Sequence, residues 1–242
     1  MFVRYIILIS FTAFSLWSCK KDSTPQDVLE KIQINTTMNG APIEKKVAME
    51  FEDDYQIVID ELRFYMSNIS FITEDGKEMK AKMLPYPEQV FLYELNGKES
   101  FDISLSDLKY DSIKFDVGLT PVLNDMDPIN FKFPHPLSWE HDMFWEMLKY
   151  RCFILEGQVN HPNTDQFSHV LNYHLGGDNY LRTVTLPLTL GMTKDANTFN
   201  VEFDISKIFK EIDWTVFFSF HSEGSQIETG LKMMDNISQS FQ

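Results

Sequence analysis

Between residues 31 and 221 the apolar residues come in short alternating runs broken by turn signals, and long stretches at helical spacing are scarce. This constrains the fold more than anything else in the chain, because a period of two makes one face of a strand apolar and the other polar. Ile32 and Ile34 alternate with polar neighbours before Asn39-Gly40, a pair that suits a hairpin turn. A longer run from Gln56 to Met66 continues through Ser67-Asn68 into Ile69–Ile72, and Glu74-Asp75-Gly76-Lys77 closes it with a turn. Further strands are expected at Val90–Tyr93, Ser112–Gly118, Val184–Leu188, Thr198–Phe203 and Trp214–His221. Helices are expected over Asp204–Ile212, with Asp204 as N-cap, and over Trp139–Leu148 behind Ser138. Residues 119–141, with Pro121, Pro128, Pro134 and Pro136, suit a long irregular loop. The expected fold is mostly β: an antiparallel β-sandwich-like single domain with a few short helices.

The N-terminus implies export. Arg4 precedes an apolar run from Tyr5 to Leu16, too short for the roughly 20 residues of a membrane-spanning helix but suited to a cleaved signal. Leu16-Trp17-Ser18-Cys19, followed by two lysines, resembles the lipobox of bacterial lipoproteins, in which the Cys becomes the lipidated first residue. The alternative is an ordinary signal peptide with an incidental Cys; the position of Cys19, where cleavage should fall, favours the lipobox. The resulting division is a signal over 1–19, a tether over 20–30 and a β domain over 31–242, anchored by lipid at the cell envelope on the periplasmic or cell-surface side.

Removing Arg4 with the signal leaves 20 basic against 36 acidic side chains, a net charge of −16. That balance argues against nucleic acid and anionic lipid as partners, since phosphate neutralisation needs clustered Lys and Arg. Cys152 is the one cysteine left once Cys19 is lipidated, so no intrachain disulfide forms; it sits in a strand-like run as a small apolar residue. The sequence carries no phosphate-cradling glycine loop, no H-E-x-x-H, no C-x-x-C and no G-x-S-x-G. It is therefore not expected to be an enzyme.

Histidine is the residue type that stands out. His135, His141, His161, His169 and His174 fall close together, among Trp139, Met143, Trp145 and Met147. His141 and Trp145 share a face whether the segment is a strand or a helix. Imidazole and thioether together suit soft Cu(I), although Trp and Met on one face more often build a core.

Longer stretches resemble the MbnP-like copper-binding family. Asp60–Phe71 followed by Asp75-Gly76 is similar to its "l+yYiSNv…dG" segment, and Phe115–Asn124 to its "f.iGvdp..N". Met143-Phe144-Trp145, Tyr150 and Phe153–Gly157 follow "MyWtWqsGY…klEG", Tyr173–Gly177 follows "fHlGg", and Val201–Phe209 and Met234–Phe241 match its last two segments. The resemblance implies a β-sandwich-like envelope protein that binds copper through His and an oxidised Trp (kynurenine), the oxidation being done by a di-haem cytochrome c peroxidase or MauG-like partner. Residue by residue, His174 lies in the best-matched motif and Trp145 aligns with the first Trp of the pair. Met147 stands where the second Trp should be, and the following Gly is missing. Trp139 with His141 offers a replacement, and His221 a further ligand. The ligand set expected is thus His174, His141, His221 and Met143, with Trp145 or Trp139 as the oxidised residue; His135, His161 and His169 are expected to be solvated. The rival expectation is a β-sandwich that binds a protein or glycan and no metal, favoured by the missing Trp. A hydrolase lacks any nucleophile–base signature.

Overall fold

The computed structural model describes residues 27–106, 108–161, 166–188 and 197–242; the signal, the lipobox and Cys19 lie outside them. In chain order the strands are β1 (Asp27–Met38), β2 (Ala41–Pro42), β3 (Ala48–Glu50), β4 (Gln56–Thr73), β5 (Glu78–Lys80), β6 (Lys82–Met83), β7 (Val90–Glu94), β8 (Ser100–Ser106) and β9 (Tyr110–Val117). The helix α1 (Pro121–Asn124) follows, then β10 (Phe144–Trp145), β11 (Lys149–Asn160), β12 (Phe167–Gly176), β13 (Arg182–Pro187), β14 (Thr198–Asp204), β15 (Ser219–Phe220) and α2 (Ile227–Gln239). The smaller sheet runs β14-β1-β8-β6 with β2 on β1, and the larger runs β13-β9-β4-β11-β12-β15. Asn39 and Gly40 both take positive φ, as the expected hairpin turn between β1 and β2 requires.

The axis of the larger sheet is β4. Along one edge it pairs β11 over Gln56–Phe64 and then β9 over Met66–Thr73; along the other it pairs β3, β7 and β5. The handover from β11 to β9 falls at Tyr65, and the β9 pairing then carries a bulge between Ser67 and Ser70, where Asn68 adopts φ of 53° and donates through Nδ2 to Asp116 Oδ2 at 3.1 Å. Asn tolerates the left-handed region better than most residues, and a bulge turns the strand.

The two sheets bury a phenylalanine-rich layer between them. Phe64 contacts Tyr93 at 4.5 Å, Phe203 at 5.1 Å and Phe241 at 5.7 Å, joining both sheets to the C-terminus. Phe71 meets Phe199 and Phe91 meets Phe101 in the same way. Burying each such ring stabilises the fold by roughly 1.5–3 kcal/mol. The larger sheet's other face holds a second apolar cluster, in which Tyr65, Leu92, Tyr150 and Ile154 meet Leu119, Leu123, Leu137 and Met143 of the proline-rich segment. Two buried phenols pin that segment down: Tyr65 donates to Pro136 O at 3.0 Å and Tyr150 to Leu137 O at 2.9 Å.

The sandwich-like, mostly β fold is as expected, with several corrections. β1 begins at Asp27, inside the stretch expected to be tether, and it pairs β14 in parallel, so the sheets are mixed rather than purely antiparallel. The expected helix over Asp204–Ile212 is a 3-10 turn, Ile205–Phe209, although Asp204 does cap it by accepting from Ser206 N. Ser138 caps only Trp139–His141, because Asp142 turns left-handed and the chain enters the β10–β11 hairpin. The expected strand Trp214–His221 shrinks to Ser219–Phe220. The longest helix among the described residues, α2, falls where none was expected.

Candidate functional site

β12 ends in Tyr173-His174-Leu175-Gly176, and its alternation sends Tyr173 and Leu175 into the core and His174 to the opposite face. There His174 lies across from Ile154 of β11, and Glu156, two residues further on, shares its face. His174 Nε2 and Glu156 Oε1 are 2.7 Å apart, and the imidazole side chain is only 11% exposed. β15 runs parallel to β12 with Phe220 beside Tyr173, so Phe220 is a core residue and His221, next in the chain, emerges beside His174. The two imidazole rings stand 4.9 Å apart at 86°. Ser222 holds this strand end against β12: its hydroxyl donates to His174 O at 3.1 Å and accepts from Gly176 N at 2.8 Å. Trp145, placed by the β10–β11 hairpin, meets His221 edge to face at 5.9 Å.

Burial lowers the His174 pKa below its ordinary 6.5; the Glu156 hydrogen bond works against that, and Arg151 adds to it. The ring is therefore neutral near pH 7. With its Nε2 proton held on the Glu156 carboxylate, Nδ1 is left as a lone-pair donor. A metal-ligating histidine takes this form, one nitrogen on a carboxylate and the other on the ion. Imidazole nitrogens suit a soft monovalent ion better than a hard one. Among the described residues no three His, Cys, Asp or Glu side chains are gathered as a cation cage.

The other expected site residues lie elsewhere. His141 contacts Phe133 at 5.3 Å rather than Trp145, so the expected shared face is absent. Its carbonyl accepts from Arg63 Nη1, its Nε2 is buried without a hydrogen-bond partner, and burial lowers its pKa. Met143 is a core residue of the second cluster, and its carbonyl accepts from Arg151 N. Trp139 stands 61% exposed, beside Phe144. His135, expected to be solvated, is buried: Phe131 stacks on it at 4.3 Å, Nε2 meets Glu88 at 3.0 Å, and Nδ1 accepts from Leu137 N. His169 is half-buried against Trp214 and Phe218, whereas His161 is exposed beside Tyr55. Cys152 is buried with its thiol pushed up to about 12, which makes it a core residue and no nucleophile. Sequence reasoning missed Glu156 and Ser222. The signal for Glu156 was its place two residues from Ile154 on one strand face; Ser222 carried none.

The sequence matches the MbnP family over residues 26–225. The chain belongs to that family. The matched span opens one residue before β1 and closes just before α2, so the MbnP match contains both sheets and the His174–His221 pair. No curated protein sequence matches the chain. The solved structure of MbnP from Methylosinus trichosporium superposes with a TM-score of 0.57 at 14% identity, covering 76% of this chain and 78% of that one. At that identity the likeness is one of fold, and it agrees with the curled two-sheet architecture of an MbnP domain.

Proposed function

We propose that this MbnP-family protein binds one copper ion at the His174–His221 pair, at the cell envelope and held there by a lipid on Cys19. The observation that carries this reading is the locked imidazole: His174 Nε2 on Glu156 at 2.7 Å, with the His221 ring 4.9 Å away. His174 and His221 would hold the ion, and Glu156 would fix the tautomer of the first. His141 and Met143, expected as ligands from sequence, take no part in that contact. Trp145, whose ring meets His221 edge to face, would be the indole oxidised by a di-haem peroxidase-like partner. Kynurenine would supply a ketone and an arylamine as further donors there. The protein itself binds and does no chemistry of its own.

The test is copper stoichiometry of the purified chain, made with and without a co-expressed di-haem partner. His174→Ala and His221→Ala should each abolish tight copper, and His141→Ala should leave it. Glu156→Gln should weaken binding by about 10- to 100-fold. The peptide containing Trp145 should gain about 4 Da when the partner is present, a net one oxygen in and one carbon out, since oxidation opens the indole with two oxygen atoms and the formyl group then leaves as formate. Copper content unchanged in both His174→Ala and His221→Ala would remove the site. No copper in the unsubstituted chain, with Trp145 unmodified, would favour the second reading, a metal-free interaction module, which Met147 in place of the second Trp supports.

A further inference from the structure

Beside the histidine pair runs an open groove of about 730 Å³ with an unusual lining. Two tryptophans border it, Trp139 at 61% and Trp145 at 38% exposed, together with Phe144 and Met126. Asp125, Asp127, Glu146, Asn124 and Lys149 supply its polar groups. Large aromatic rings left in water are what a binding surface keeps and a core does not.

The charges decide what the groove fits. Lys149 is ion-paired with Asp125, so those two cancel. Asp127 spends one oxygen on Ile129 N, and among the described residues neither it nor Glu146 is paired with a cation. The groove therefore combines indole rings with two uncompensated negative charges. Its carboxylates are not gathered into a cation cage, so a hydrated inorganic ion finds no ready ligand set. Aromatic rings with a negative surround favour weakly hydrated organic cations, through the ring quadrupole and the net field together.

We propose that the Trp139–Trp145 groove is a binding site for an organic cation, an alkylated ammonium or a guanidinium group on an apolar stem. Phe144 and Met126 give the stem an apolar wall. The site shares Trp145 with the copper reading but needs neither His174 nor His221.

The experiment uses the full chain without metal and follows tryptophan fluorescence and calorimetric titration. The probes are choline, its uncharged isostere with a quaternary carbon in place of the nitrogen, blocked arginine amide, and a neutral oligosaccharide. Choline or the arginine amide should bind at least about tenfold tighter than the uncharged isostere, and added salt should weaken it. Tighter choline would identify a small quaternary amine as the ligand type, and tighter arginine amide a peptide side chain. Trp139→Ala and Glu146→Gln should each reduce cation affinity about fivefold or more; both positions are exposed, and circular dichroism checks their fold. His174→Ala should leave cation binding intact while removing copper, so the two proposals fail separately. Equal binding of charged and uncharged isosteres, unchanged affinity in Trp139→Ala, tighter binding of the oligosaccharide, or no binding of either cation would each overturn the proposal.

Discussion

The larger sheet has two buried faces of opposite character. The inner face is a dry layer of aromatic and aliphatic rings: Phe64, Phe71, Phe115, Phe153 and Tyr173 against the smaller sheet and α2. The outer face carries Glu61, Arg63, Glu156 and His174 among Tyr65 and Ile154, and the proline-rich segment covers part of it. Both faces come from the same strands by simple alternation, Phe64 beside Tyr65 and Tyr173 beside His174. What differs is how each is held: the inner face by area removed from water, the outer by directed hydrogen bonds to a loop. Stability should accordingly sit on one face and chemistry on the other.

The strongest attack on that division is Phe64→Ala. It empties the contact between both sheets and the C-terminus and should cost about 3–5 kcal/mol in denaturant unfolding. A loss below about 1 kcal/mol would mean that the inner face is not where stability resides.

Gly230→Ala joins the two faces. At this position in the first turn of α2 alanine would ordinarily gain up to about 1 kcal/mol, but a Cβ there would lie 2.2 Å from Phe220 Cε1. Displacing Phe220 should cost about 1–3 kcal/mol net and shift the His221 ring resonances, since the two residues are consecutive. Tyr150→Phe removes the hydrogen bond to Leu137 O and should cost about 1 kcal/mol. No measurable loss would show that the loop is not held through this phenol.

The smallest expected effect is on pH. Burial depresses the His174 and His141 pKa values below the 6.5 of an unfolded chain. The unfolded state then binds protons first, so stability is complete above pH 6.5 and declines as pH falls from there through the lowered folded values. His174→Gln should flatten the decline measured by thermal unfolding between pH 7 and about 5. An unchanged slope would assign the effect to other groups.

Much of the inner face was legible in the sequence, because alternation such as Ile57, Ile59 and Leu62, Phe64 marks the strands of β4 directly. The outer face was less so. Its site depends on β12 meeting β15 in parallel, a pairing between distant segments that no local pattern encodes. His174 and His221 were named, by family resemblance and by position at a strand end, but their contact was not. Spacing within one segment suggested His141 with Trp145 instead, and the left-handed Asp142 breaks that periodicity. Helix α2 escaped notice although Ile227, Leu231, Met234 and Ile237 recur at helical intervals. Gly230 and the polar residues among them weaken the signal, and the glycine is there because Phe220 leaves no room for more.

The register of β15 against β12 has a kinetic and entropic meaning. Because Phe220 is seated in the core, His221 cannot move away from His174 without drawing a phenylalanine into water, and Ser222 adds a second tether on the same strand end. The two rings are thus ordered before any ligand arrives. Conformational entropy that a loop-borne pair would lose on binding has already been lost in folding. An ion bound at the proposed site would meet a preorganised pair, so mutations that loosen the seat of Phe220 should speed its departure more than they slow its arrival.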